Sequence, residues 1–315
     1  MKFISDFKEG ETIVGHYFCK KKDTLKTRAG KNYFSLKLQD KTGVIEGKVW
    51  ELNNDIQNFD EGDFIKIDGA ILSYQNTLQA NIRRVRKSLE GEFEPEDYMP
   101  ATERDVNDLF ADFTAFIGTI ENAFIKQMLE SIFVQNEQLA ADFKKSSAAK
   151  TMHHCYMGGL LEHSLSVVQI CDFLSTRYKH VNRDILIASA MLHDVGKIKE
   201  LSAFPMNDYT DDGQLLGHII IGVQLMSDEI TKIDGFPDRL ASMLKHCMLS
   251  HHGILEYGSP KVPQTIEAFI LHCADDSDAK IKAFEDFIGT NEPNNGSWMG
   301  YHKMLQRNIR KTDVK

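Results

Sequence analysis

The sequence predicts a multi-domain protein in which a small antiparallel β barrel is followed by an all-α domain. Two observations lead to this fold class. Between Glu11 and Arg86, short runs rich in β-branched and aromatic residues alternate with turn-forming residues. From Asp105 nearly to the end, apolar residues recur at helical spacing. With 315 residues, 42% of them hydrophobic, the chain is long enough to bury a core in each of two domains.

Five strands are predicted in the N-terminal part, separated by turn sequences such as Ala29-Gly30. The piece between Trp50 and Glu61 has room for a short helix. The predicted strands are Ile13–Lys20, Asn32–Gln39, Val44–Trp50, Phe64–Tyr74 and Thr77–Arg86. Five strands with a helix between the third and fourth form the layout of an OB-type barrel, a fold that commonly binds oligonucleotides.

The domain boundaries follow from a change in composition. Residues 88–104 are acidic, contain Pro95 and Pro100 and show no periodicity, which indicates a linker. We therefore predict a barrel at 1–90, a linker at 91–104 and a helical domain at 105–315. Helices are expected at 104–117, 120–142, 158–178, 184–194, 216–231, 237–250 and 264–287. The tail after Gly289 ends in a basic stretch with Trp298 and Tyr301.

Charge is distributed unevenly along the chain. The formal net charge is −9, from 37 Lys and Arg against 46 Asp and Glu. The first 90 residues hold 16 basic and 13 acidic residues, which leaves 21 and 33 for the rest. A protein this acidic is unsuited to sequence-blind nucleic-acid binding by charge alone. A nucleic-acid contact is better sought in the first 90 residues, and the acidic remainder suits a protein that concentrates cations.

The chain shows no sign of export or of membrane insertion. Its first ten residues carry charges and no apolar h-region, and no apolar stretch approaches the roughly 20 residues of a membrane span. The five cysteines are scattered and form no CxxC pair. We therefore expect reduced cysteines, a cytoplasmic protein and no membrane partner.

The chemistry-bearing residues lie on helix faces that are otherwise apolar. Five predicted helices each place one metal-competent residue on such a face, and burying each without a partner costs roughly 2–7 kcal/mol. Convergence on a shared cation satisfies all of them at once. Asp194 follows one of these histidines at a helix end, where the helix dipole favours a cation. The five are His163, His193, His218, His251 and Asp275.

This set of imidazoles and carboxylates, without cysteine, suits Mn²⁺, Fe²⁺, Co²⁺, Ni²⁺ or Zn²⁺. Six ligands are enough for two ions, with Asp194 as the natural bridge, and two ions can clamp both oxygens of an in-line phosphoryl displacement. The chain contains no GxSxG elbow and no GxxxxGK loop. The sequence therefore predicts a divalent-metal phosphohydrolase that acts through metal-activated hydroxide.

Several motifs resemble a known family. The order His163, His193-Asp194, Asp275, with His-Asp-Val-Gly-Lys at 193–197, resembles the HD superfamily of metal-dependent phosphohydrolases. His218 and His251 look like the additional ligands of its two-metal members. The stretches HHCYMGGLLEHSLSV (153–167), LLGHIIIG (215–222) and HCADDSDAK (272–280), preceded by an OB-like module, look like the YhaM family of bacterial 3′→5′ exoribonucleases. This resemblance extends from about residue 11 to residue 310.

The resemblance implies manganese- or cobalt-assisted removal of nucleotides from the 3′ end of single-stranded RNA, and of single-stranded DNA, held by the OB module. Carried over by motif, one metal would be held by His163, His193, Asp194 and Asp275. The second would be held by His218, His251 and Asp194, and Lys197 would face the substrate phosphate. HD motifs alone also fit phosphodiesterases and nucleotidases that act on small nucleotides. A non-catalytic RNA-binding protein with a structural metal is a further alternative.

Further residues are candidates for substrate contact. His153 and His154 suit a phosphate or a base, or else a helix cap or the surface, and His252 suits a metal, the substrate or neither. In the barrel, the candidates are Tyr33, Phe34, Trp50, Lys21 and Arg28. Strand alternation places one of Tyr33 and Phe34 inside the barrel without deciding which.

Two points are left open. Asp276 and Asp278 either orient a histidine or form a solvated face, and for Asp276 we favour the solvated face. A helix face with Phe124, Met128 and Phe133 belongs either to the core or to the interface of a homo-oligomer.

Overall fold

The computed structural model describes residues 2–74, 77–99, 101–102, 104–150, 154–290 and 296–312. His153, a predicted substrate contact, lies outside these residues. The chain divides into two compact units. One is Met1–Ala101 with Ala203–Asn207, and the other is Thr102–Ser202 with Asp208–Lys315. The first holds a β barrel and the second is mainly helical, which confirms the predicted fold class.

The first unit is a closed five-stranded barrel with the strand order β1-β2-β3-β5-β4. All neighbouring strands are antiparallel except β3 and β5, which pair in parallel. The strands are β1 Thr12–Lys26, β2 Asn32–Asp40, β3 Gly43–Val49, β4 Phe64–Tyr74 and β5 Thr77–Lys87. This arrangement is the OB-type barrel that the strand pattern predicted.

Alternation along the strands sends apolar side chains such as Leu38, Ile67 and Ile82 into a single barrel core. The pairing of β4 with β5 is interrupted between Asp68 and Gly69 by a β-bulge, in which Arg83 of β5 is the extra residue. A Cβ at Gly69 would lie 2.4 Å from the carbonyl oxygen of Asn81, so only glycine permits this approach of the two strands.

Two features of the first unit differ from what the sequence suggested. Residues 50–61 form turns and a single bridge between Ile56 and Val85 instead of a short helix. Part of the predicted linker packs on the barrel, because Phe93 stacks on Phe64 at 4.1 Å and Tyr98 is buried. The acidic composition of this segment indicated a linker, although two of its aromatic residues pack on the barrel.

The second unit contains ten α-helices among the residues described. They are α1 Val106–Gly118, α2 Ala123–Glu130, α3 Glu137–Lys145, α4 Gly159–Ser175, α5 Arg183–Leu192, α6 Lys197–Glu200, α7 Asp211–Leu215, α8 Gly217–Thr231, α9 Asp238–Ser250 and α10 Ile266–Thr290. A β-hairpin, β6 Trp298–His302 and β7 Arg307–Arg310, follows. No helix in the described residues is long and apolar enough to cross a membrane.

The single helix expected at 120–142 is divided. A π-helical turn at Ser131–Gln135 ends α2, and Asn136 starts α3 by accepting a hydrogen bond from the backbone NH of Leu139. Phe133 in this turn is fully buried and packs on Phe113 of α1. Met128 and Phe133 are therefore core residues, while Phe124 packs against Phe236.

Candidate metal centre

The predicted metal-binding side chains meet in the interior of the helical unit. The Nε2 atom of His163 on α4 lies 3.2 Å from Nε2 of His193, which caps α5, and 3.2 Å from Oδ1 of Asp275 on α10. His218 on α8 and His251, which caps α9, have ring centroids 5.6 Å apart. The group formed by His163, His193 and Asp275 lies next to the pair of His218 and His251. The ring centroids of His193 and His251 are 5.3 Å apart.

Asp194 stands between the two groups and points one carboxylate oxygen at each. Oδ2 lies 3.5 Å from Nε2 of His163 and 3.4 Å from Nε2 of His193. Oδ1 lies 3.5 Å from Nε2 of His218 and 3.8 Å from Nε2 of His251. One carboxylate thus faces two separate imidazole pairs, which is the geometry of a residue that can bridge two cations.

Each of the four imidazoles is held by its Nδ1 atom. His193 and His251 donate to the carbonyl oxygens of Ala190 and Met248, at 2.8 and 2.7 Å, one turn earlier in the chain. His163 and His218 donate to the carboxylates of Asp278 and Glu200. With Nδ1 occupied as a donor, each ring directs its Nε2 atom towards the centre, as metal-binding histidines do.

His163 is oriented by Asp278, for which the sequence allowed either this role or a place on a solvated face. Its Nδ1 lies 2.7 Å from Oδ2 of Asp278, whose other oxygen accepts a hydrogen bond from Ser166. Burial alone would lower the pKa of His163, but hydrogen bonds to Asp275 and Asp278 raise that pKa to about 9. A cation binding here therefore displaces a proton. Asp276 instead pairs with Lys280 at the surface, as expected.

His218 is oriented by Glu200, which the sequence reasoning missed. Oε1 of Glu200 accepts from both the ring Nδ1 and the backbone NH of His218, each at 2.9 Å. Although burial raises the pKa of Glu200, its hydrogen bond with His218 holds the pKa below its usual value. Glu200 ends the four-residue helix α6, which is too short to show an apolar face, so no periodicity marked this carboxylate.

Asp278 is itself supported by a polar chain that includes His154. His154 is buried, with Nε2 3.3 Å from Asp278 and Nδ1 2.9 Å from the hydroxyl of Tyr156, which donates to Glu162. His154 has a left-handed backbone with a φ of 54°. A Cβ at Gly159 would lie 2.1 Å from the carbonyl oxygen of His154, so this glycine is required. The buried position excludes the surface role considered for His154.

Glycines also allow the histidine segments to approach one another. A Cβ at Gly196 would lie 2.0 Å from the carbonyl oxygen of His218 and 2.7 Å from the backbone nitrogen of Gly222. The turn that follows Asp194 is thereby pressed directly against α8. Similarly, Gly253 has a φ of 80° and lies beneath the ring of His272, whose Nδ1 is 3.0 Å from the carbonyl oxygen of His251.

Three buried polar atoms in the described part of the helical unit have no hydrogen-bond partner and face this centre: Asp194 Oδ1, His218 Nε2 and His251 Nε2. An unpaired buried polar group costs on the order of 1–3 kcal/mol. A cation among them would satisfy all three at once. The donor set is imidazole and carboxylate, so these residues fit a divalent metal.

Two further predicted residues lie at the edge of the centre. The ammonium of Lys197 is buried and lies 2.6 Å from Oδ2 of Asp194. Burial would lower its pKa, but Asp194 raises the pKa above its ordinary value, and Lys197 in turn helps to hold the pKa of Asp194 well below normal. The ring of His252 lies 4.3 Å from that of His251 and 5.1 Å from that of His218, and a nitrogen of each is close enough to share one ion.

The barrel candidates divide into exposed and buried side chains. Tyr33 and Trp50 stack on each other, with ring centroids 4.6 Å apart, and Trp50 is 44% exposed. Phe34 turns inward, edge-on to the buried Phe59. Lys21 and Arg28 are exposed on β1 and on the loop that follows it.

Comparison with known proteins agrees with both units. Residues 160–280 match the HD domain, and residues 19–87 match an OB-fold nucleic acid binding domain. The second OB-fold domain of replication protein A from Methanococcus maripaludis matches 30% of this chain and 98% of its own, at 20% identity and a TM-score of 0.24.

Relatives of nearly the same length are known. The chain is 34% identical over 300 residues to a protein of Listeria welshimeri named 3′-5′ exoribonuclease YhaM, with 93% of each chain covered. It is 33% identical to the protein of that name from Geobacillus, with 90% of this chain and 87% of the relative covered. Because the similarity spans the barrel, the metal centre and the segments between them, the chain belongs to the YhaM family.

Proposed function

We propose that this protein is a metal-dependent 3′→5′ exonuclease that hydrolyses the phosphodiester bonds of single-stranded RNA. Two findings support the proposal. Relatives at 33–34% identity are named 3′-5′ exoribonucleases. The proposal rests mainly on the position of the Asp194 carboxylate. One of its oxygens lies near His163 and His193, and the other lies near His218 and His251.

We further propose that the centre holds two divalent ions, with manganese as the working metal. His163, His193, Asp194 and Asp275 would hold the first ion, and His218, His251 and Asp194 the second. Cobalt, iron, nickel and zinc suit the same imidazole and carboxylate donors. When bound, such ions lower the pKa of water and stabilise the charge that develops on a phosphate.

The side chains of this protein perform the positioning. Glu200 and Asp278 fix the rings of His218 and His163, which keeps their Nε2 atoms aimed inward without rearrangement during turnover. Lys197 is the one buried ammonium beside the centre in the described residues, and it balances the charge of Asp194. We assign it a second task, in which it attracts the substrate phosphate towards the metals.

In the barrel, the stacked pair of Tyr33 and Trp50 offers an exposed aromatic surface for bases, and Lys21 and Arg28 offer cations for the phosphate backbone. Stacking of this kind tolerates every base, as an enzyme that degrades RNA of any sequence requires. Single-stranded DNA also presents phosphates and bases that can stack, so we expect it to be a second substrate.

The proposal is tested with RNA labelled at either end, incubated with purified protein and manganese. Removal of nucleotides from the 3′ end predicts that a 3′ label appears at once in mononucleotides, while a 5′ label passes through a ladder of shortening chains. The Asp194→Asn variant should lose at least about 10³-fold in rate, because the shared ligand is weakened. Asp276→Asn, an exposed aspartate of the same unit, should retain full activity.

The alternatives give different results. A phosphodiesterase or nucleotidase for small substrates would hydrolyse free nucleotides or cyclic dinucleotides and leave RNA intact. A non-catalytic RNA-binding protein would bind RNA without shortening it under any metal, and Asp194→Asn would change nothing in the assay. Either outcome would overturn the proposal.

A further inference from the structure

The C-terminal hairpin of residues 296–312 packs on the helix that supplies part of the metal centre. Met299 on β6 and Ile309 on β7 join α10 residues in a small separate core, and His302 lies edge-on to Phe287, with ring centroids 4.8 Å apart. The α10 residues of this core are Ala283, Phe284, Phe287 and Ile288. The hairpin is therefore fixed to α10 by apolar contacts.

The net charge of this hairpin is opposite in sign to that of the sequence from residue 91 onward. Residues 296–312 contain four basic side chains, Lys303, Arg307, Arg310 and Lys311, and no Asp or Glu. The 225 residues from 91 onward carry 21 basic against 33 acidic residues. A wholly cationic segment within an acidic part of the sequence is complementary to a polyanion.

Aromatic side chains stand on the solvent side of the same hairpin. Met299 and Ile309 turn towards α10, while Trp298 is 47% exposed and Tyr301 is 58% exposed. Trp298 is opposite Arg310 and Tyr301 is opposite Asn308 across the two strands. Large aromatic rings are costly to leave in water, and rings next to cations and amides form the surface on which single-stranded nucleic acids stack.

The position of the hairpin relates it to the metal centre. Asp275 and Asp278 are on α10, and the hairpin packs on the same helix 8 to 13 residues beyond Asp275. At 1.5 Å per residue this separation is about 12–20 Å along the helix axis. It corresponds to about four to six nucleotides at the 3.4 Å spacing of a stacked strand.

We propose that the hairpin of residues 296–312 is a second binding site for single-stranded RNA, which holds the strand a few nucleotides from the bond that is cut. This inference rests on the proposed function. Trp298 and Tyr301 stack with bases, and the four cations contact phosphates. Such a site increases the affinity for long substrates and has no effect on a dinucleotide, which is too short to reach it.

The test compares full-length variants loaded with manganese. Binding is measured by fluorescence anisotropy with an RNA whose 3′-terminal linkage resists hydrolysis, and turnover is measured with a long RNA and with a dinucleotide. We expect Trp298→Ala and Tyr301→Ala each to weaken RNA binding at least about five-fold. Both should raise the KM for long RNA and leave dinucleotide turnover unchanged.

Controls separate stacking from a loss of structure. Trp298→Phe and Tyr301→Phe retain an aromatic ring and should restore most of the affinity. Phe173→Ala with Lys179→Ala removes an exposed aromatic and an exposed cation from the same unit, away from the hairpin, and should bind like the wild type.

Three results would overturn the inference. One is RNA binding that is the same in the wild type and in both alanine variants, although the wild type degrades RNA. The second is a change in oligomeric state on sedimentation with unaltered RNA binding, which would make the hairpin an interface between copies of the chain. The third is a wild type that neither binds nor cleaves RNA, which would refute the proposed function as well.

Discussion

The barrel and the helical unit hold their candidate functional side chains in opposite ways. In the barrel, Trp50, Lys21 and Arg28 are exposed to solvent outside a core of apolar side chains. In the helical unit, His193 and His251 are fully buried and Asp194 is 2% exposed. Exposed groups can be replaced with little effect on folding, whereas buried polar groups must be satisfied by a partner. Changes in the two units should therefore differ in kind.

The largest effect is expected where backbone segments touch at the metal centre. Gly196→Ala places a methyl group 2.0 Å from the carbonyl oxygen of His218, so α6 and α8 must separate. We expect a loss of about 3 kcal/mol or more in the free energy of unfolding, and loss of metal binding. Urea unfolding followed by circular dichroism at helical wavelengths measures this.

The matched control is Gly118→Ala at the end of α1, where an added Cβ meets nothing within 4 Å. It should leave stability unchanged or slightly raised. Equal destabilisation by both variants would contradict the close backbone contact at Gly196.

An intermediate effect is expected at the carboxylate that holds His218. Glu200→Gln keeps the size of the side chain but loses the charged acceptor for Nδ1, so the ring is held less firmly. We expect metal affinity to fall by about 10- to 100-fold. Calorimetric titration with manganese measures the change, and Glu229→Gln, which affects a carboxylate bonded to Ser131 and Lys232, is the control. Unaltered manganese affinity in Glu200→Gln would refute this positioning role.

A smaller effect is expected on the barrel surface. Trp50→Ala should weaken RNA binding by about 1–3 kcal/mol and leave barrel stability nearly unchanged, because the ring stacks on Tyr33 outside the core. Phe34→Ala should instead destabilise the barrel, because Phe34 packs inward. RNA titration and thermal unfolding of both variants distinguish the two. Normal RNA affinity in Trp50→Ala would show that the stacked pair of Tyr33 and Trp50 does not bind RNA.

The smallest effect is expected from a single exposed cation. Arg28→Gln should reduce the slope of log affinity against log salt for single-stranded RNA by about 0.7, with no change in stability. RNA titrations at several salt concentrations measure the slope. An unaltered slope would show that Arg28 does not contact the phosphates of the RNA.

The contrast between the units also explains what could be predicted from the sequence. His163, His193 and Asp275 could be named as candidates because each interrupts an apolar helix face, a signal that exists only for a buried polar residue. Tyr33 and Phe34 could not be separated, since alternation shows that they differ without showing which is inside. The five strands followed from turn residues and alternation, so the barrel was predicted nearly in full.

Other features depend on tertiary contacts and leave no local pattern. Glu200 orients His218, which lies 18 residues later in the sequence. The helix that contains Glu200 is only four residues long. The π-helical turn at Ser131–Gln135 leaves no break in the apolar pattern, because the buried Phe133 follows Leu129 at the helical spacing of four residues. The packing of Phe93 on Phe64 likewise joins a segment that composition alone assigns to a linker.

The central claim is that two cations share Asp194 between two pairs of imidazoles. An anomalous difference map from crystals grown with manganese tests it most directly. The account predicts two peaks, one beside Nε2 of His163 and His193 and one beside Nε2 of His218 and His251, with a carboxylate oxygen of Asp194 next to each. A map without a peak among these residues, or with manganese bound only elsewhere, would contradict it.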